Sequence, residues 1–197
     1  MEPRNEEVTA LALQHSPDVE IDRATDWPPV LTAVRNYWLS IRGSRAMPSR
    51  KDIAPASLKA QLPELLLADV IDGGADFRYR LIGTNLTQFF PFDPSGKLMS
   101  EALARFGQES VERTIGSYRN VAERRVPMRI TGSGSFYGQE PKLFDAWLAP
   151  LSDDDQTTNM ILGTFVFVWD NEHQFRPPSP DAAGGVSSVS QLTRILR

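Results

Sequence analysis

Met47-Pro48-Ser49-Arg50-Lys51-Asp52-Ile53, followed by Leu62-Pro63 and by two strand-like runs that close on Tyr79-Arg80-Leu81-Ile82-Gly83-Thr84, decides the fold. The lead-in is polar and stiffened by proline, and it delivers the chain to an apolar run over residues 64–71. Asp72-Gly73-Gly74 comes next, residues that tolerate positive φ and turn the backbone around. The returning run, 77–84, alternates. It predicts Phe77, Tyr79 and Leu81 on one face and Arg78 and Arg80 on the other, as in a sheet packed on one side and wet on the other. The pair reads as a half-buried hairpin.

Upstream of this hairpin, Asp26 is placed to cap a helix whose first turn accepts Pro28 and Pro29, because early helical positions need no intrahelical donor. Val30, Leu31, Val34, Trp38 and Ile41 recur at three-to-four-residue intervals as one apolar face, and Gly43 ends the helix. Downstream, a short helix near 85–90 presents Leu86, Phe89 and Phe90 as wall material for a cavity. A longer helix over 101–125, broken or bent at Gly107 or Gly116, turns Leu103, Phe106, Val111, Ile115, Tyr118 and Val121 inward. Three strands follow, at 126–132, 143–151 and 160–170, with loops at Gly132-Ser133-Gly134 and Ser152-Asp153-Asp154-Asp155. Two strands, helices, then three strands is an α+β order in which the helices cover one face of an antiparallel sheet.

The hairpin residues, with Pro150-Leu151 and Ile161-Leu162-Gly163, resemble the bacterial PAS-type sensory family, whose members carry a Met-Pro-Ser-Arg-like lead-in and an Arg-Leu-Ile-Gly-Thr-like second strand. The resemblance spans residues 27–170. It implies a PAS-like five-stranded antiparallel sheet with helices on one face, preceded by an N-terminal flanking helix. The organisation expected is an N-terminal extension at 1–24, flanking helix and lead-in at 25–60, core at 61–175 and a flexible tail at 176–197. One stretch departs from the family: Phe89-Phe90-Pro91-Phe92-Asp93-Pro94-Ser95-Gly96 is richer in proline and aromatics than the expected Asp-Leu-Thr-Gly-like segment, with Asp93 and Gly96 as the matching positions.

Composition narrows the chemistry. A chain of 197 residues buries one core without staples, and the absence of cysteine excludes disulfides, thiolate metal sites and cysteinyl-flavin photochemistry. With 21 Lys plus Arg against 25 Asp plus Glu, the net charge of −4 gives no general attraction to nucleic acid. No basic-then-apolar leader opens the chain and no apolar run approaches membrane length, so a cytoplasmic protein without membrane insertion is expected. The tail, from Pro177-Pro178-Ser179-Pro180 through Ala182-Ala183-Gly184-Gly185, is too polar and small to offset its ordering entropy.

The two histidines, His15 and His173, both lie off the central helix where a haem-binding PAS domain offers its axial ligand, so haem is disfavoured. Asp153-Asp154-Asp155 reads as a solvated turn because no calcium-loop pattern continues from it. No phosphate loop, nucleophile elbow, kinase, cyclase or helix-turn-helix motif is present, and no metal or cofactor is expected.

For a small, largely apolar ligand, the wall candidates are Tyr79, Leu81, Leu86, Phe89, Tyr118 and Trp147. For a homodimer contact, as flanking helices of the family imply, they are Leu31, Val34, Tyr37, Trp38 and Ile41. The leading expectation is a stand-alone sensory or adaptor protein, not an enzyme, that regulates a signalling protein in trans by contact. One alternative is an isomerase or hydrolase on a cupped fold with Asp145 as a desolvated base beside Tyr79, which requires Trp147 and Asp145 to face the helices. Another is a structural homodimer subunit of a larger complex.

Overall fold

The structure, a computed structural model, describes residues 27–132 and 143–169. His15, His173, the capping residue Asp26, the N-terminal extension, the C-terminal tail and the connection after Gly132 lie outside the described residues.

Five antiparallel strands form one sheet in the order β2-β1-β5-β4-β3: β1 (Leu65–Ile71), β2 (Asp76–Ile82), β3 (Met128–Gly132), β4 (Leu143–Leu151) and β5 (Met160–Val168). The expected hairpin is β1–β2. Its turn is a single 3-10 turn in which Asp72, Gly73 and Gly74 take φ of 47°, 69° and 100°. The central strands β1, β5 and β4 are buried on both faces, because each face carries its own apolar layer.

On the inner face lie α2 (Thr84–Thr87), α3 (Met99–Leu103) and α4 (Gln108–Arg124). The long helix expected at 101–125 is thus two helices, divided where Gly107 takes φ of 89°. Gly116, by contrast, sits within α4. Val111, Ile115, Tyr118 and Val121 line the buried side of α4 and pack on Leu66, Ala68, Phe77, Leu148 and Ile161 of the sheet.

On the outer face lie α1 (Pro29–Arg42) and a 3-10 segment, Pro55–Glu64. α1 begins without a side-chain cap, Pro28 standing at its N-cap, and stops at Gly43 with φ of 60°. Its apolar stripe, Leu31, Val34 and Trp38, is 0–1% exposed against Leu65, Leu67, Trp147, Ala149, Leu151 and Leu162. That burial consumes three of the five residues proposed for a dimer contact, so Leu31, Val34 and Trp38 serve the chain's own core.

Two expectations about the sheet are corrected. Leu67 of β1 pairs with Leu81 and Ala68 with Tyr79, so Arg80 is the extra residue of a β-bulge. The bulge resets the alternation: Phe77, Tyr79 and Ile82 point inward, while Leu81 joins the outer layer. Trp147 also belongs to the outer layer, beneath α1. The two arginines remain exposed, with Arg80 paired to Asp69 at 2.7 Å.

The lead-in is a built clamp. Ser49 caps a 3-10 turn, Arg50–Asp52, with Asp52 closing the box onto the Ser49 amide at 2.7 Å. The Ser49 hydroxyl donates to Asp153 at 2.6 Å, the Met47 amide to Asp155 at 3.0 Å and the Ser152 amide to the Pro48 carbonyl at 2.9 Å. These bonds dock the lead-in on the β4–β5 turn, and Tyr37 of α1 joins them by accepting from the Ala54 amide at 2.6 Å.

Candidate functional site

The inner layer, between the concave face and α2–α4, gathers most of the chain's aromatic rings. From β2 it receives Phe77 and Tyr79, from the segment after α2 Phe89 and Phe90, from α4 Tyr118, and from β5 Phe165 and Phe167. Rings meet edge-on or tilted: Phe77–Tyr118 at 5.3 Å, Tyr79–Phe90 at 6.1 Å, Phe90–Phe106 at 5.9 Å and Phe89–Phe167 at 4.7 Å. Of the six wall candidates, four come together here: Tyr79, Leu86, Phe89 and Tyr118, each 2–5% exposed. Leu81 and Trp147 do not, since they rise from the opposite face.

Phe77, Phe165, Phe167 and Met99 belong to the same layer and were not among the candidates. The signal for the β5 residues was in the sequence: Ile161, Phe165 and Phe167 fall on one side at period two. Burial is graded across the layer. Phe77, Tyr79, Met99 and Leu103 are sealed at 0–2% exposure, whereas Phe92, Phe106, Phe165, Phe167 and Trp169 are only partly buried. The layer therefore approaches solvent towards the ends of β3–β5 and the segment before α3.

Polarity is distributed unevenly. Among the described residues, the buried polar side chains Ser49, Ser152 and Thr158 belong to the lead-in and the β4–β5 turn, and Asp145 and Thr164 to the outer face. The inner layer thus draws its side-chain hydroxyls from its tyrosines, an environment suited to an apolar guest with one or two polar atoms. Among the described residues, no group of three or more His, Asp or Glu side chains could hold a metal ion.

Asp145 is not beside Tyr79. It shares the outer face with Trp147, and Arg129 grips it through Nε–Oδ1 at 2.9 Å and Nη2–Oδ2 at 2.5 Å. The Arg129 guanidinium lies 4.7 Å from the centroid of the Trp27 ring, so aromatic surface covers the pair. A base beside Tyr79 is thereby corrected to a buried ion pair on the far side of the sheet.

Three carboxyls with shifted titration lie in and beside the clamp. Arg45, donating at 2.6 Å, and the Ser49 amide hold Asp52 below the usual carboxylate range. The Ser49 hydroxyl, then Asn159, does the same for Asp153. The amides of Thr157 and Gln156 and the Ser152 hydroxyl depress Asp154 further still. The triple-aspartate run is therefore a self-capped turn. At the other end of the outer layer, burial pushes Glu64 up, opposed by its own amide and by Asn85, which donates at 2.7 Å.

Comparison with known proteins agrees with this architecture. A family model described as PAS domain matches residues 28–166. The chain belongs to the PAS domain family. Among solved structures, the PAS domain from Bordetella pertussis BvgS is similar, with 16% identity and a TM-score of 0.47 over 59% of this chain and 85% of that one. No curated protein matches the chain. Membership carries a general sensory and signalling role. Among the described residues no helix is long and apolar enough to cross a membrane.

Proposed function

We propose that this PAS domain works as a sensory or adaptor protein that regulates a signalling partner by contact, with a small, largely apolar ligand held in the inner layer by Tyr79, Leu86, Phe89 and Tyr118. The observation that supports the ligand is the graded aromatic layer: sealed and apolar under α4, with partly exposed rings where a guest would enter. Binding there acts on the rest of the molecule only through its different affinity for two arrangements of the covering elements.

The output runs through the outer layer. Leu31, Val34 and Trp38 are occupied, so contact with a second copy or a signalling protein falls to the half-buried residues of α1, Val30, Tyr37, Leu39 and Ile41. The protein acts without turnover, a reading supported by the engagement of Asp145 with Arg129 away from the tyrosines.

Native mass spectrometry of gently purified protein, with a thermal-shift screen of apolar metabolites, tests the ligand. A true ligand raises Tm in proportion to its occupancy of the folded state. Leu86→Trp, which fills the layer, is expected to abolish that shift while the protein stays folded. Ligand-independent melting across the screen would leave only the adaptor role, which partner capture with and without Ile41→Glu then examines.

A further inference from the structure

One buried hydroxyl touches elements of both layers. Thr158, in the turn between β4 and β5, is 7% exposed. Its hydroxyl donates to the Ala122 carbonyl at 3.0 Å and lies 3.5 Å from the Met47 sulfur. Ala122 is among the last four residues of α4, whose carbonyls have no partner within the helix, so Thr158 supplies what the helix cannot. Arg125, which closes α4 with φ of 59°, donates to the Gln156 carbonyl of the same turn at 3.1 Å. On the other side, Met47 opens the lead-in and is fully buried.

The turn itself is cross-linked by Asp154, whose carboxylate accepts from the Ser152 hydroxyl at 2.8 Å and from the Gln156 and Thr157 amides at 2.9 and 2.6 Å. Bonds leave this unit in two directions. Toward the inner layer it holds Ala122 and Arg125, and Ala122 lies four residues beyond Tyr118, on the same buried face of α4. Toward the outer layer, Asp153 and Asp155 hold Ser49 and Met47 of the lead-in. Asp52, which closes the box on Ser49, also takes Arg45 at 2.6 Å, and Arg45 donates back to the Ile41 carbonyl at 2.8 Å. Ile41 is in the last turn of α1, so a path of hydrogen bonds and short backbone segments joins the end of α4 to the end of α1.

We propose that the β4–β5 turn is the joint of the molecule, transmitting a displacement of α4 to the lead-in and the C-terminal end of α1, with Thr158 as its central contact. The signalling use of the joint rests on the reading above, in which a guest beside Tyr118 is the input and the half-buried residues of α1 are the output. The physical reason is the cost of unmaking the contacts. If α4 shifts and the turn does not follow, the buried Ala122 carbonyl loses its partner; if the turn follows, the bonds to Ser49 and Met47 carry the lead-in with it. Two arrangements of α4 are then two arrangements of the lead-in, which is what coupling between the layers requires.

The test is native-state amide exchange on the full chain, read at the Met47, Ser49 and Ser152 amides, each of which donates a bond in the lead-in or between it and the turn. Thr158→Val keeps shape and deletes the hydroxyl. The three amides are expected to exchange roughly tenfold faster in it than in Ile82→Val, an inner-layer change of β2 that controls for general loss of stability. Equal exchange in the two variants overturns the proposal. A second measurement uses Arg125→Gln, which cuts an exposed bond on the α4 side and leaves the buried contacts in place. Combined with Ser49→Ala on the lead-in side, it is expected to show a coupling of about threefold or more in the unfolding equilibrium constant, although the two residues share no bond. Strict additivity overturns the joint even if Thr158→Val does not fold. Neither measurement uses a ligand, so a metabolite screen without a hit removes the guest from the inner layer and does not bear on the joint.

Discussion

The Trp38 indole on α1 donates to the Pro150 carbonyl on β4 at 3.0 Å, a buried bond between residues 112 apart in sequence. It joins the first helix to a strand laid down near the end of the core, and it lies next to the clamp formed by Ser49, Met47 and the β4–β5 turn. Trp38→Phe keeps most of the packing and removes the donor, so the buried Pro150 carbonyl loses this bond. A loss of about 1–3 kcal/mol is expected. Trp38→Ala also opens a cavity and should cost about 3–5 kcal/mol. Urea denaturation followed by intrinsic fluorescence measures both. Equal losses for the two variants would mean that packing contributes nothing beyond the bond.

Gly83 and Gly116 are glycines for opposite reasons. Gly83 has an ordinary φ of −68°, but a Cβ there would lie 2.2 Å from the Pro63 carbonyl oxygen and 2.4 Å from that of Leu62. Backbone cannot yield as a side-chain tip can, so Gly83→Ala should cost at least about 3 kcal/mol, at the severe end of overpacking. Gly116 lies within α4 with nothing within 4 Å of a Cβ. Gly116→Ala should stabilise by about 0.5–1 kcal/mol through helix propensity and a less flexible unfolded chain. Paired thermal melts check the contrast in sign.

The clamp should fail in acid. Asp52 and Asp153 are held below their ordinary range by bonds that only the folded chain makes. Their contribution is complete above the unfolded value of about 3.9 and disappears as pH falls through the lower folded values. Asp153 is exposed and the Asp52 side chain 34% exposed, so the effect is modest and screened by salt. Tm measured from pH 6 to pH 2 should fall below about pH 4, and less steeply in Asp153→Asn. Glu64 has the opposite sign: its folded value is raised, so its contribution is complete below the unfolded value and is lost as pH rises through the folded one. Glu64→Gln should therefore be slightly more stable than the parent at pH 7 and no more stable at pH 3.

The hairpin was legible because its evidence is local: alternation in Phe77-Arg78-Tyr79, and glycines where positive φ is required. Leu81 was not, because Tyr79-Arg80-Leu81-Ile82 reads alike with or without a bulge, and only the pairing of Leu67 and Ala68 on β1 reveals the extra residue. Trp147 failed for a different reason. A central strand covered on both faces is apolar throughout, so period two separates its residues into two sets without saying which set meets which helix. Ser49 followed by Asp52 three positions later is a readable capping signal, but the contacts of Ser49 with Asp153 and Met47 with Asp155 cross more than a hundred residues. Arg129 and Asp145 are likewise joined only by the β3–β4 register, which sets Arg129 opposite Trp147 and Thr131 opposite Asp145.

That pair yields the prediction that separates a sensor from an enzyme. Arg129 and Asp145 are 18% and 5% exposed at the side chain, so removing one member strands the other away from water. Arg129→Ala should cost about 3–5 kcal/mol, whereas the double change Arg129→Met with Asp145→Leu should recover most of it, because well-packed hydrocarbon replaces a buried pair at little cost. Asp145→Asn keeps the shape and some hydrogen bonding, and should lower stability while leaving ligand-induced thermal shifts intact, since the carboxylate lies across the sheet from Tyr79 and Tyr118. Denaturation of all four proteins and a thermal-shift titration of Asp145→Asn supply the measurements. A catalytic Asp145 requires the reverse pattern, a stable Asp145→Asn protein that has lost turnover, and that result would replace the sensory reading with an enzymatic one.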